Sequence, residues 1–378
     1  MKKEVFITET NCITPIGFDV AANVQNIMNG VSGIQLHQNT MMDKPFYASI
    51  VNSEQLNEAF AKISISENFT RLEKMMILAL EPMIKKSKLN FDEKVGFILS
   101  TTKGNITALE NPSEDNFQKA HLHHLAKNIA SFFGFKTSPI VVSNACVSGV
   151  LSLSIAKRLI QAEMFDSVYV VAGDEVSRFV LSGFNSFLAL SDLPCKPFSK
   201  NRTGVTIGEA TAAVLVSSDN ENSKIKIIGD GSINDANHIS GPSRNGEGLF
   251  RSIESAMNEA KINANQIDYI SAHGTATLFN DEMEAIAFNR LGLEDVPTNS
   301  LKGFYGHTLG ASGLLETVIG IQSVLENKLF LSLGFDEMGV SESINIIKEN
   351  EDKNINYFLK TASGFGGCNS AVLFEKVK

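Results

Sequence analysis

Several signatures that would settle a function at once are missing from this 378-residue chain. It has no GxSxG elbow and no Walker A loop, and Gly229-Asp230-Gly231 lacks the third glycine of a dinucleotide fingerprint. That excludes α/β-hydrolases and leaves nucleotide binding without support. Only four cysteines occur, Cys12, Cys146, Cys195 and Cys368, and no pair has CxxC spacing. A disulfide framework or a zinc site is therefore not expected, and reduced thiols are. His121, His123 and His124 cluster without matching ligands nearby, which reads as a solvated face, so no metal is expected. There is no basic surplus: the net charge is −9, which argues against nucleic acid as the main partner. No apolar run could span a bilayer, and Glu4, Thr8, Glu9 and Asn11 interrupt any signal-peptide core, so a cytoplasmic protein is expected.

What is present reads as a globular enzyme. Hydrophobic residues make up 43% and charged residues 20% of a chain longer than one typical domain. The polar run SSDNENSK at 217–224 reads as the loop between two halves, 1–222 and 223–378. Short apolar runs alternate with helical patterns in both, which predicts an α/β fold. Strands are expected at 5–8, 95–100, 139–143 and 167–172, with helices at 21–29, 71–86 and 150–162. The second half predicts strands at 225–228, 268–272, 296–300 and 371–374 and a helix at 313–326. A strand, a short small-residue turn and a helix recur in each half, so a duplicated core is expected, with reactive groups from both halves meeting at strand and helix ends.

Four stretches carry the chemistry. In Ser143-Asn144-Ala145-Cys146-Val147-Ser148-Gly149 a strand runs through a tight turn into a helix. A cysteine there lies at the positive end of a helix dipole, which favours thiolate, and its N–H is free to bind an oxyanion. Ala272-His273-Gly274-Thr275-Ala276-Thr277 places a histidine at a strand end, beside two hydroxyls able to bind a polar ligand. Lys302 and His307 are embedded among glycines, and Glu316 follows on the helix, where it could pair with either. Gly364-Phe365-Gly366-Gly367 predicts a turn whose N–H groups could complete an oxyanion hole.

Taken in order, these motifs resemble those of the β-ketoacyl-acyl-carrier-protein synthases, in particular the type II elongating enzymes of the thiolase fold. FITETNCITPIG at 6–17, CKPF at 195–198 through Gly208-Glu209, and 241–248 resemble further family stretches, so the likeness covers nearly the whole chain. The resemblance implies two duplicated halves in a layered αβαβα core and a decarboxylative Claisen condensation in fatty-acid or polyene/polyketide elongation. It implies Cys146 as nucleophile, with His273 and His307 as donors to the enolate left when malonyl carrier protein loses CO2. Lys302 would act on His273 and Glu316 on Lys302. The N–H groups of Cys146 and Phe365 would form the oxyanion hole, with Phe365 also a gate opposite Phe184 in the acyl pocket. Thr275 and Thr277 would bind the pantetheine arm. No cofactor is implied beyond the phosphopantetheine of an acyl carrier protein. That protein would dock on Arg71 and Lys74 within 67–74, and the enzyme would be a homodimer or pair with a ketosynthase-like subunit.

The chain departs from the pattern at Cys368, where the family has threonine, and at Leu278, where it has proline. The segment 104–136 is shorter than in the elongating enzymes, so chain length does not carry over. Two alternatives remain: a non-catalytic chain-length-factor-like subunit, which typically loses the nucleophile, and a thiolase. An initiating synthase would carry Asn at the second histidine.

Overall fold

The computed structural model describes residues 3–377 except 66, 67, 112, 222, 237, 238 and 240, so Glu67 and Asn222 of the expected docking stretch and interdomain loop lie outside the described residues. Ten strands form one ladder: β1 Phe6–Ile13, β2 Val95–Ser100, β3 Ile140–Val142, β4 Ser167–Asp174, β5 Ala210–Ser217, β6 Ile225–Asn234, β7 Tyr269–Ser271, β8 Thr298–Asn299, β9 Tyr357–Gly364 and β10 Cys368–Lys376. Their order is β8-β7-β9-β10-β6-β1-β5-β4-β2-β3. Counted within each half, both run third, second, fourth, fifth, first. The directions repeat too: fifth pairs antiparallel with first and fourth, while second pairs parallel with third and fourth. The halves meet through their first strands, where Phe6 and Ile7 oppose Lys226 and Ile225. This is the expected duplication, written in the sheet.

Helices make the layers. α1 (Arg71–Ser87) begins in a Thr70/Glu73 capping box and packs on β1, β4 and β5. α2 (Ser148–Gln161) and α5 (Ser312–Glu326) lie side by side between the two half-sheets, and α3 (Glu247–Ala260) covers β6 and β10. A further helix, α4 (Leu278–Arg290), packs beside α3. The central layer is buried on most sides because it touches a sheet on each side: Val150, Leu153, Leu314, Val318 and Ile319 are fully buried there. Outer cores lie under α1 (Leu72, Met75, Leu80) and under α3 (Leu249, Ile253, Phe288).

Close approach of the central helices needs glycine. A Cβ on Gly149 would fall 2.7 Å from the Leu314 nitrogen, and one on Gly313 would fall 3.0 Å from that of Val150. Each glycine is the second residue of its helix, so the helices cross at their N-terminal ends. The residues just before those ends are thereby pressed together. Among the described residues no helix is long and apolar enough to cross a membrane.

Candidate active site

Cys146 ends a strained turn. Ala145 has φ +43°, and Ser148 Oγ fastens the bend by accepting from the Asn144 N–H (2.8 Å) and donating to the Ala145 carbonyl (2.6 Å). The second half places a serine at the same position but turns it to side chains. Ser312, the counterpart of Ser148, lies 3.1 Å from His307 Nδ1, and the Leu309 N–H donates to that atom at 3.0 Å. A backbone N–H can only donate, so His307 Nδ1 is an acceptor and its proton sits on Nε2. Lys302 Nζ stands 3.3 Å from His273 Nδ1 and fixes the same tautomer there. The two rings are 5.1 Å apart and nearly perpendicular, and Cys146 offers its sulfur within 4.8 Å of a nitrogen of each.

Charge in this site is arranged in layers. Lys302 donates to Glu316 Oε1 at 2.7 Å and to the His273 carbonyl. Lys360, which the sequence reading passed over, pairs with Glu316 Oε2 at 2.6 Å and donates to the carbonyls of Ser271 and Ala272. All three charged groups are buried. Burial first, then the charges of Lys302, His307 and Lys360, holds His273 well below the ordinary imidazole range. Burial, then Lys302 and Lys360, does the same for His307. Both are neutral donors.

Two carboxylates that the motif reading also missed carry the loop after β7. Glu284 accepts the N–H groups of His273 (2.8 Å) and Gly274 (2.6 Å), and Asp281 accepts that of Thr275 (2.9 Å). They stand three apart on α4, a spacing that was a readable signal.

The dipole argument for a thiolate does not survive the structure. Burial, reinforced by the neighbouring Cys368, pushes the Cys146 thiol up to about 12, against smaller opposing effects of Lys302 and Lys103. A helix dipole contributes about 0.3–1 kcal/mol, while each pK unit corresponds to about 1.4 kcal/mol. The resting group is a thiol. The trio also resembles a metal-binding set, but its chemistry does not suit one. A ligating imidazole donates from its other nitrogen, whereas both Nδ1 atoms here accept and both Nε2 atoms hold protons.

A cavity of about 630 Å³ opens on these groups and is lined by Cys146, His273, His307, Thr275, Thr277, Phe184 and Phe365 among others. Phe365 tips the β9–β10 hairpin, whose last pair is Gly364–Cys368, and stacks on Phe184 with centroids 5.6 Å apart. Thr275 and Thr277 share a 2.9 Å hydroxyl contact on the cavity wall. The Cys146 nitrogen and the Cys368 sulfur both lie against the Gly364 backbone, each 2.9 Å from where a Cβ would stand.

Other residues stay outside. Cys368 is buried against the carbonyls of Phe365 (3.4 Å) and Asn144 (3.8 Å), and Cys195 donates to the Lys302 carbonyl at 3.0 Å. Arg71 and Lys74 do not line the cavity: Arg71 is tied to Glu209 and the Val51 carbonyl, and Lys74 to Asn57. The cations on the cavity wall are Arg202 and Arg244. His121 and His123 are exposed and stacked on each other.

Comparison with known proteins agrees with this architecture. Residues 2–222 match the model of the β-ketoacyl synthase N-terminal domain, and residues 226–336 that of the C-terminal domain. The chain is 26% identical to 3-oxoacyl-[acyl-carrier-protein] synthase 2 of Staphylococcus aureus, over 99% of this chain and 98% of that one. In fold it is similar to a ketosynthase of Xenorhabdus doucetiae solved in complex with its chain length factor (TM-score 0.88, 23% identity, 99% and 98% covered). It is also similar to a type II polyketide acyl-carrier protein–ketosynthase complex bound to a hexaketide (TM-score 0.90, 21% identity, both chains fully covered).

Proposed function

The chain belongs to the β-ketoacyl synthase family, acyltransferases of fatty-acid or polyketide elongation, and we propose that it joins an acyl group held on Cys146 to a malonyl unit on an acyl carrier protein. In the first step the Cys146 sulfur takes the acyl group from a carrier thioester, and the displaced carrier sulfur leaves as a thiol with the proton. The Cys146 and Phe365 N–H groups face the carbonyl oxygen as it gains charge. In the second, malonyl thioester loses CO2, and the enolate oxygen is met by the Nε2–H of His273 and His307. The enolate carbon then attacks the acyl carbonyl, the bond to Cys146 breaks, and the sulfur takes up one proton. Neutral imidazoles stabilise the enolate without protonating its carbon, a division of labour that charged ones would not give.

The observation that carries this reading is the tautomer of the two histidines: each Nδ1 is occupied by a donor, so each ring holds its proton on Nε2, and a nitrogen of each lies within 4.8 Å of the Cys146 sulfur. Thr275 and Thr277 suit the amides of a phosphopantetheine arm, and Phe365 with Phe184 gates the acyl side. The second protein partner would be another copy or a ketosynthase-like subunit. Mass spectrometry of acyl-Cys146 and CO2 release from malonyl carrier protein test the roles together. Cys146→Ala should lose the adduct and keep its fold, because exchanging thiol for methyl removes little packing. His307→Ala should lose CO2 release and keep the adduct. An adduct on Cys12, Cys195 or Cys368, or normal CO2 release from His307→Ala, would overturn the assignment.

A further inference from the structure

The duplicated fold has two equivalent helix starts, and only one of them faces the cavity. Cys146 stands two residues before Ser148, the first residue of α2, and Gly310 two residues before Ser312, the first residue of α5. The Gly310 N–H is therefore the counterpart of the Cys146 N–H, the donor that the proposed function turns toward the acyl oxygen. It donates at 2.8 Å to Oδ2 of Asp174, a fully buried carboxylate at the end of β4. The same carboxylate accepts the Thr101 hydroxyl at 2.8 Å and the N–H groups of Thr102 and Lys103 at 3.0–3.1 Å. Thr101 and Ala272 are themselves counterparts, each bonding its N–H to the neighbouring third strand. Asp174 thus fills, with a built-in anion, the second copy of the anion-receiving corner.

We propose that Asp174 is a positioning residue for His307, acting through Gly310. The contact is one residue from Leu309, whose N–H holds His307 Nδ1, and Leu309 sits in the left-handed region at φ +53°. A leucine prefers to leave that conformation. With the following N–H anchored on a carboxylate that is itself held by three other donors, the turn keeps its shape. His307 is then held in the Nε2–H form and at its distance from Cys146. The Cys146 turn makes no hydrogen bond to Asp174 and is fastened by Ser148 to its own backbone, so loss of the anchor bears first on the His307 turn. Loss of the anchor should therefore separate the half-reactions.

This inference rests on the roles proposed above for Cys146 and His307. The test is the ratio of CO2 release from malonyl carrier protein to acylation of Cys146, measured for Asp174→Ala, Asp174→Asn, Gly310→Ala and His307→Ala. Displacement by about 1 Å can cost 10²-fold in rate; a drop of roughly tenfold in the ratio is expected for Asp174→Ala, with acylation near the parent rate. Asp174→Asn keeps one acceptor oxygen and should restore part of the ratio. Gly310→Ala attacks the same contact from the other side, because its Cβ would lie 2.8 Å from Asp174 Oδ2. It should lower the ratio even if Asp174→Ala folds poorly. Equal losses in both half-reactions would make Asp174 structural only. An unchanged ratio in Asp174→Ala and Gly310→Ala, beside an impaired His307→Ala, would overturn the inference alone. An unchanged ratio in His307→Ala would overturn the reading beneath it.

Discussion

The Leu309 N–H donates to His307 Nδ1 at 3.0 Å, and this one bond decides which nitrogen of the ring can meet a substrate. Lys302 makes the matching decision for His273. Both imidazoles therefore carry their proton on Nε2, and a nitrogen of each lies within 4.8 Å of one sulfur. Their neutrality comes first from burial and then from the Lys302 and Lys360 charges, which also suppress protonation.

Reactivity of Cys146 should follow its burial. With the thiol pushed up to about 12, only the rare thiolate reacts with iodoacetamide. The alkylation rate is expected to climb about tenfold per pH unit from 7.5 to 9.5, as a group still well below its pKa does. A plateau near pH 8.5 would mean that the helix start outweighs burial.

The histidines also link stability to pH. Their folded-state pKa values lie well below 6.5, so on acidification the unfolded chain binds protons that the native one does not. Stability from this source is complete above pH 6.5 and falls as pH drops toward the folded values. The slope is about 1.4 kcal/mol per pH unit for each histidine. Asp281 and Glu175, raised by burial to about 7, titrate with the opposite sign over the same range. The measurement is therefore a difference. Denaturant unfolding between pH 6.5 and 5.5 should show about one proton fewer taken up by His307→Gln than by the parent. Equal uptake would show that His307 is protonated in the native protein.

Glu316 should matter more to folding than either lysine. Lys302→Met leaves Glu316 paired with Lys360, whereas Glu316→Ala leaves two buried ammonium groups without their carboxylate. Breaking a buried pair typically costs about 3–5 kcal/mol, and the glutamate variant should exceed the lysine one by at least a few tenths of that. Chemical denaturation of both variants checks the order. A larger loss in Lys302→Met would show that its bond to the His273 carbonyl dominates.

Carrier docking divides the expected cations. Arg71→Glu would set a carboxylate against the buried Glu209 and should lower the melting temperature. Lys74→Glu should leave it unchanged. Lys74 and the exposed Arg244, which has no ion-pair partner among the described residues, are the positions to read by kinetics. Each reversal should raise the carrier KM at low salt by an amount equivalent to about 0.2–1 kcal/mol, and the effect should fade as salt rises. Unchanged KM in both variants would place docking on another face.

Much of the site was readable because its members sit in local signals. Cys146, His273, Lys302, His307 and Phe365 each occupy a strand end or a glycine-bracketed turn, and Glu316 follows one turn into the next helix. The residues that were missed reach the site by long-range pairing. Lys360 lies inside β9, where a lysine reads as solvent-facing, and only the Ser271–Lys360 register brings it beneath His273. Asp174 ends a strand expected to stop at 172, and its partners come from two distant loops. β5, ATAAVLVS, was passed over because alanine has little strand preference. Its burial between β1 and β4 comes from the order of the sheet, which no local pattern encodes.

Where α2 and α5 touch, a Cβ on Gly149 would meet the backbone of Leu314 and Gly310, and one on Gly313 would meet Val150. The Cys146 sulfur and the His307 imidazole stand just before this close contact. The mouth of the cavity is built otherwise: Leu188, Ile239 and Phe279 stand exposed on loops and a helix start, and Phe365 rides a hairpin tip. On the proposed function, substitutions at the mouth would alter which chains are accepted without moving Cys146 or His307. Selectivity and chemistry would then be separately heritable, and a lineage could change its product while the reacting core stayed still.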